Sequence, residues 1–346
     1  LKNRILFIST NDGSDMRINK EIFTLSKKAD VYFLGVGRDS NNNYAKINCK
    51  EFYLIEEKRN SIKAIVKQIR KYIQLTRAFE FDSIHIINEQ LMVFFYPFLF
   101  KQYVVLDVFD SIFMKINKTK NNFKFFKKIV YKPTNVILVT DKNRKKLMPD
   151  FVQSKVDILE NFPNRYLGST EKNSKNLTIF YNGSMSNARG TVFLQKLTEK
   201  YPDVNVIMAG WMADENTKSF SQSNFVDYKG ILTQKEAMII AARESNYIMC
   251  CYEPSNLNNI NASPNKIYDA IQTKTPVIIN KEVIVSDFVK KKKIGLVLSS
   301  FYEYDIDKVY NNLIECKDKF TFNNSDLIEY SWENIESKLL KAHKVE

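Results

Sequence analysis

The chain is poor in the residues that metal and hydrolytic chemistries most often use. Its 346 residues include four cysteines, Cys49, Cys250, Cys251 and Cys316, and two histidines, His85 and His343. The cysteines lack metal-ligand spacing, and Cys250–Cys251 sit in an apolar run where they read as small core residues. Such usage suits a reduced, cytosolic compartment. His85 lies within a strand-like run and is expected to be buried. His343 is three residues from the last position and is expected to face solvent. A Ser-His-Asp triad or a histidine-rich metal site is not expected from so few imidazoles.

Long apolar runs are lacking as well. The longest, LMVFFYPFLF (91–100), has ten residues and a proline. That is too short to span a bilayer; it reads as a buried helix or as an element that dips into a membrane surface. The apolar stretch that starts at Arg4–Ile5 is short and soon polar, unlike a secretory signal. Internal repeats and low-complexity segments are also missing.

Positive charge is present in excess, and in one half only. Residues 1–165 carry 30 Lys+Arg against 17 Asp+Glu, whereas residues 166–346 carry 22 of each, so the first half holds the whole net charge of +13. Such asymmetry points to an anionic partner, either nucleic acid or an anionic membrane surface. Segments 61–77 and 115–132 mix lysines with aliphatic or aromatic residues at helical spacing, which suits a membrane interface or a plain solvated basic face. No basic segment matches a nucleic-acid recognition module.

Short β-branched or aromatic runs alternate with stretches of helical period from end to end. Seven such runs lie between residues 4 and 161, and six more between 177 and 299. Strands apolar throughout and separated by helices imply parallel sheets covered on both faces. Two such sets imply two Rossmann-like domains, joined near the polar segment 161–176. An amphipathic helix over 328–346 has no strand after it and is expected to pack back across the first domain.

Ligands of open α/β sheets bind beyond the carboxyl ends of the strands. In YNGSMSNARG (181–190), Gly183 and Ser184 let a ligand approach the backbone, and Arg189 opens the next helix, where an anion also feels the helix dipole. An ordinary strand–helix turn with Arg189 in water is the alternative. In SPNKIYDAIQTKTPVI (263–278), Ser263 suits an N-cap and Pro264 the first helical position. Asn265, Lys266 and the first-turn amides could hold a diphosphate, while Asp269, three residues past Lys266, could accept from ribose hydroxyls. A capped helix with an internal Lys–Asp pair is the alternative. Asp107 and Asp110, spaced three apart at a strand end, could pair on a metal, bind acceptor hydroxyls or cap a helix.

The second of these segments resembles the nucleotide-sugar motif of GT-B glycosyltransferases of family GT4, with Asp269 at the ribose-binding acid and Pro276-Val277-Ile278 at the strand that follows. Other pieces agree in order. GSDMRINKEIFTLSK (13–27) resembles the family's N-terminal loop-helix through Asp15, Arg17, Lys20, Glu21 and Leu25. DSIHIIN (82–88) resembles the Asp-x-x-His strand, and YNGSMSNARG the diphosphate loop. VDYKGIL (226–232) resembles the base-lining segment, and YSWENI (330–335) the start of the crossing helix. Four positions depart from the pattern: Asn261 stands where a Glu is common, Ser184 for Arg, Lys274 for Gly and Phe109 for His.

The resemblance implies an α/β protein of the GT-B fold, two Rossmann-like domains facing a central cleft with a C-terminal helix crossing back. Residues 1–162, with about 331–346, would bind the acceptor, and 163–330 the donor. It implies a retaining transferase that moves a sugar from a nucleotide-diphosphate donor, UDP-linked by preference, to a glycan or polyprenyl-diphosphate-linked acceptor of a bacterial surface polysaccharide. No metal or other cofactor is required. Lys266, Arg189 and Asp110 would carry catalysis. Gly183, Ser184, Tyr228, Lys229, Gly230, Asn261, Ser263, Asn265 and Asp269 would join Lys266 at the donor. Asp12, Gly13, Asp15, Arg17 and Asp107 would meet the acceptor. The expected location is cytoplasmic, on the inner face of the membrane. A nucleotide-sugar 2-epimerase, or a catalytically silent partner of another transferase, is the other reading.

Overall fold

Strands such as SIHII (83–87), VVLDV (104–108) and VIIN (277–280) are buried at every position, which only a sheet covered on both faces allows. The computed structural model, which describes residues 2–38, 43–173 and 176–345, places them in two such sheets. The chain divides into two compact units, Leu1–Glu160 with Ile335–Glu346, and Asn161–Asn334.

The first unit holds strands β1 (Arg4–Ile8), β2 (Asp30–Val36), β3 (Glu51–Ile55), β4 (Ser83–Ile87), β5 (Val104–Val108), β6 (Val136–Val139) and β7 (Val156–Ile158). They pair in parallel in the order β3-β2-β1-β4-β5-β6-β7. Between them run helices α1 (Met16–Ser26), α2 (Tyr44–Asn48), α3 (Ile62–Ala78), α4 (Met92–Leu99), α5 (Ile112–Lys115), α6 (Lys124–Tyr131) and α7 (Lys142–Leu147). Order reverses beside β1: the chain runs outward through β2 and β3, then returns to β4 on the other flank. Loops after β1 and β4 therefore diverge and leave a crevice, the usual place for a ligand in this architecture.

The second unit repeats the plan with β8 (Thr178–Met185), β9 (Asn205–Met212), β10 (Val226–Tyr228), β11 (Tyr247–Met249), β12 (Val277–Asn280) and β13 (Gly295–Leu298), in the parallel order β10-β9-β8-β11-β12-β13. Its helices are α8 (Thr191–Lys200), α9 (Glu215–Phe220), α10 (Gln234–Glu244), α11 (Leu257–Ile260), α12 (Asn265–Thr273), α13 (Ser286–Lys292), α14 (Ile306–Cys316) and α15 (Asn324–Glu329). The reversal falls between β8 and β11. Ile179, Tyr181, Val206, Met208, Tyr247 and Met249 fill the core on one face of this sheet. A last helix, α16 (Trp332–Ala342), begins in the second unit and from Ile335 belongs to the first.

Two expectations change here. His343 is 2% exposed rather than solvated, because the segment after α16 returns it to the first core. Helix α4 is only half buried: Met92, Phe95 and Leu99 face inward while Val93, Phe94 and Phe98 face water. Among the described residues, no helix is long and apolar enough to cross a membrane.

Candidate nucleotide-sugar site

At the reversal of the second sheet, β8 carries Gly183 and Ser184 past the point expected. Both lie on the strand itself, opposite Gly210 and Trp211 of β9. Gly183 has φ +86°, which favours glycine, and a Cβ there would meet only the end of Lys266, with Cε at 3.9 Å and Nζ at 4.0 Å. The two segments singled out from sequence thus converge in space.

The turn that follows is held from three sides. Below, the Tyr181 hydroxyl donates to the Ser186 carbonyl and accepts from the Ser186 amide, at 3.0 and 2.8 Å. On one flank the Asn187 amide donates to Asp214 Oδ2 at 2.8 Å. On the other the Glu253 amide donates to the Ala188 carbonyl at 2.9 Å. Gly190 closes the turn at φ +103°, where a Cβ would collide with the Met249 side chain at 2.2 Å. Arg189 then lies over Tyr252, its Cζ 3.7 Å from the ring centroid.

Helix α12 begins at Asn265, one residue later than expected. Pro264 occupies the cap position, and no side chain caps the first turn, so Ser263 is not the N-cap. A cap carries the amide-binding oxygen on its own side chain, and proline has none. Burial lowers the Lys266 pKa, and the charge of Arg189 adds to the effect, while Cys250 and Asp269 oppose it. Burial pushes the Cys250 thiol up to about 12, which fits its reading as a core residue. Asp269 faces the same cluster from the next turn of α12 and is buried.

Four buried polar atoms here have no hydrogen-bond partner: Asn182 Oδ1, Arg189 Nη1, Ser263 Oγ and Asn265 Oδ1. Each such atom costs about 1–3 kcal/mol when left empty, so a cluster of them marks a place where a polar ligand would restore the bonds. Neither Arg189 nor Lys266 is held in an ion pair among the described residues. Two half-buried cations, uncapped helix amides and orphaned polar atoms are suited to a diphosphate.

Of the other expected donor residues, Tyr228 and Gly230 both bond to Gly210, the residue that pairs with Gly183 across β8 and β9. Asn261 caps α11, its Nδ2 donating to the Leu257 carbonyl at 2.9 Å. Tyr228 donates to the Gly210 carbonyl at 2.9 Å, Lys229 pairs with Asp227 at 2.6 Å, and Gly230 has open space around it. Sequence reading missed Asn182 and Tyr252. Asn182 adjoins Gly183, and Tyr252 directly follows the YIMCC run, so adjacency was the available signal.

In the first unit, Asp12, Gly13 and Asp15 form the turn after β1. Gly13 has φ +84°, and Asp15 caps α1 by accepting from the Arg17 amide at 2.8 Å. Burial raises the Asp15 carboxyl, against the lowering effect of the amides of Arg17 and Ile18. Arg17 and Asp107, expected at an acceptor, are 1% and 0% exposed and bind each other: Nε meets Oδ2 at 2.6 Å and Nη2 meets Oδ1 at 2.8 Å. An aspartate inside a fully buried strand needs such a partner. Arg17 Nη1 also donates to the Leu159 carbonyl at 3.1 Å, so Arg17 ties α1 both to β5 and to the end of β7. Asp110 is exposed and paired with Lys115, and its amide donates to Asn88 Oδ1 at 3.0 Å.

A buried polar chain continues from this pair. Arg17 Nε lies 3.0 Å from Glu21 Oε1, and His85 Nε2 lies 3.4 Å from Glu21 Oε2. His85 Nδ1 meets His343 Nε2 at 2.9 Å, and His343 Nδ1 meets Ser83 Oγ at 2.7 Å. Phe7 stacks on His85 with centroids 4.1 Å apart. Burial, and next the charge of Asp107, raises Glu21 well above the usual carboxylate range; burial pulls His85 well down and His343 to about 3. Glu21, His85 and Asp107 bring metal-capable atoms within 4.8 Å of one another. The Arg17 guanidinium already fills the cationic place among them.

Two parallel α/β units with this strand order, closed by a helix that returns to the first unit, define the GT-B fold. Sucrose-phosphate synthase from Thermosynechococcus elongatus matches with TM-score 0.72 at 10% identity, over 99% of this chain and 98% of that one. Anabaena HepE, solved in complex with UDP and glucose, matches with TM-score 0.68 at 12% identity, over 99% and 95%. The lipopolysaccharide outer core galactosyltransferase WaaB matches with TM-score 0.63 at 12% identity, over 98% of both. At these identities the likeness is one of fold. No protein-family model and no curated protein sequence matches the chain.

Proposed function

We propose that the chain is a retaining glycosyltransferase of GT4 type. It takes a sugar from a nucleotide-diphosphate donor, UDP-linked by preference, and places it on a glycan or polyprenyl-diphosphate-linked acceptor. The observation that carries this reading is the set of unpartnered polar atoms around Lys266 and Arg189 at the reversal of the second sheet. The HepE complex with UDP and glucose supports the choice of donor by fold analogy.

The site residues then divide the work. Arg189, Lys266 and the first-turn amides of α12 neutralise the leaving diphosphate, a preorganised electrostatic effect that is often the largest catalytic contribution. No metal is required for that role. Asp269 accepts from the ribose hydroxyls, and Tyr228, Lys229 and Gly230 border the base. Transfer proceeds on one face of the sugar. The acceptor oxygen bonds to the anomeric carbon as the carbon–phosphate-oxygen bond breaks, and the departing phosphate oxygen takes the acceptor proton. The turn of Asp12, Gly13 and Asp15 orients the acceptor with Asp110, while Arg17 and Asp107 hold that turn rigid. The basic first unit rests on an anionic cytoplasmic leaflet, where surface polysaccharides such as capsule or lipopolysaccharide are assembled.

Asn261 favours a second reading. With its amide committed to capping α11, the position where a Glu is common supplies no carboxylate to the sugar, as in a silent partner subunit. The test measures nucleotide diphosphate release with and without acceptor. Acceptor-dependent release, lost in Lys266→Ala, supports transfer. Binding of UDP-sugars without release across acceptors supports the silent partner, and epimer formation from donor alone supports an epimerase.

A further inference from the structure

The first unit carries a surface whose polarity is inverted. Helix α6 turns Phe125 and Phe126 to water, at 70% and 54% exposure, while Lys127 between them and the core is 1% exposed. Lysine is rarely buried and phenylalanine rarely bare, so something fixes this rotation of the helix. The Lys127 ammonium donates to the carbonyls of Lys118 and Lys120 at 2.7 and 2.9 Å, tying the preceding loop to the helix. Burial lowers Lys127 to about 8. Beside α6 packs α4, whose Phe94 and Phe98 are also bare, and Phe123 lies exposed just ahead of α6.

Charge accompanies the rings. Residues 90–134 contain eight lysines and two acids, Asp107 and Asp110. Asp107 is buried against Arg17 and Asp110 is paired with Lys115, so the exposed Lys120, Lys124, Lys128 and Lys132 stand without acidic neighbours in the segment. The other basic amphipathic helix, α3, differs. Lys63 and Lys67 both pair with Glu57, at 3.1 and 2.6 Å, and Lys71 lies over the Tyr53 ring at 3.8 Å.

We infer that the α4–α6 face, and not α3, is the surface by which the first unit docks on an anionic lipid bilayer. The inference rests on the membrane reading given above and assigns it to particular residues. Aromatic rings interleaved with ammonium groups match the headgroup layer: rings enter the acyl boundary while lysine stems let the charges reach phosphates. The surplus of unpaired positive charge is the complementarity that selects an anionic lipid surface.

The test is flotation of the full chain, without donor or acceptor, on phosphatidylcholine vesicles with and without about one-third phosphatidylglycerol. Binding is expected only with the anionic lipid. Phe125→Ser with Phe126→Ser should weaken it at least about tenfold, as should Lys124→Ser with Lys128→Ser, while Lys63→Ser with Lys67→Ser leaves it unchanged. All six positions are exposed, so melting curves should stay near wild type. A Phe125→Trp variant should shift its emission to the blue on these vesicles beyond the wild-type change. Loss of binding in the α3 variant alone would assign docking to α3 and overturn the inference. Failure of the wild type to bind would overturn the membrane reading as well, and stronger binding to a single-stranded oligonucleotide would replace it with nucleic acid. UDP-induced thermal shifts, read separately, keep the donor site testable in either case.

Discussion

The Lys266 ammonium lies 4.0 Å from the point where a Cβ of Gly183 would stand. A methyl group at that point fits beside the lysine but not beside a diphosphate that the lysine holds. Gly183→Ala should therefore cost about 1 kcal/mol of stability, through its positive φ, yet weaken UDP binding by more than tenfold. Titration calorimetry with UDP checks the second effect, and urea unfolding the first. Equal loss in both measurements would argue that Gly183 serves the fold alone.

Lys266 sets opposite pH responses for the empty and the loaded protein. Its pKa is lowered in the folded state, so between the folded value and the usual 10.5 the unfolded chain binds more protons. The cost of burying the charge is present in full below the folded value and vanishes as pH rises through that window. Diphosphate binding needs the charged form and falls over the same range. Raising pH through that window should thus shrink the UDP-induced thermal shift, an effect that Lys266→Met removes.

Removal of the charge should be costly for catalysis. Lys266→Ala should lower kcat by about 10²–10³ while leaving the melting temperature within a few degrees of wild type. Initial rates at saturating donor, with melting curves for the same samples, give both numbers.

Lys274 ends α12 with φ +52°, and its amide caps the Ala270 and Ile271 carbonyls. Lys274→Gly relieves the left-handed strain and forfeits only an exposed bond to Asn324 at 3.2 Å. It should stabilise the protein by about 0.5–1 kcal/mol. Chemical denaturation monitored by circular dichroism reads the gain.

The histidine pair makes the first unit acid-sensitive. His343 titrates near 3 when folded and near 6.5 when unfolded, and His85 is lowered too. Below 6.5 the unfolded state takes up protons that the folded state refuses, so stability falls as pH drops, by up to about 1.4 kcal/mol per pH unit for each ring. His343→Ala should remove its share of that slope. It also strands Ser83 and His85, at a cost of about 3 kcal/mol at neutral pH.

Much of this was legible in the sequence, because strand runs buried on both faces leave a continuous apolar signature. Both sheets, the return of the last helix and the two segments around Gly183 and Lys266 follow from pattern alone. What pattern could not give was distance. Arg17 and Asp107 are 90 positions apart and read as two acceptor-binding residues, whereas the fold makes them one buried pair. His343 is expected in solvent because it stands three residues from the last position, and only the course of α16 shows that it completes a core. Pro264 and Lys274 sit where cap geometry decides the helix ends, and a single residue's φ is invisible to periodicity.

The place of His343 governs when the first unit can mature. Its core needs Leu339, Ala342, His343 and Val345, which leave the ribosome after the entire second unit has been made. The second unit, contiguous from Asn161 to Asn334, can finish first. Domains usually acquire structure in the order of translation; here the first unit must wait, incomplete, for residues 335–346 to thread home.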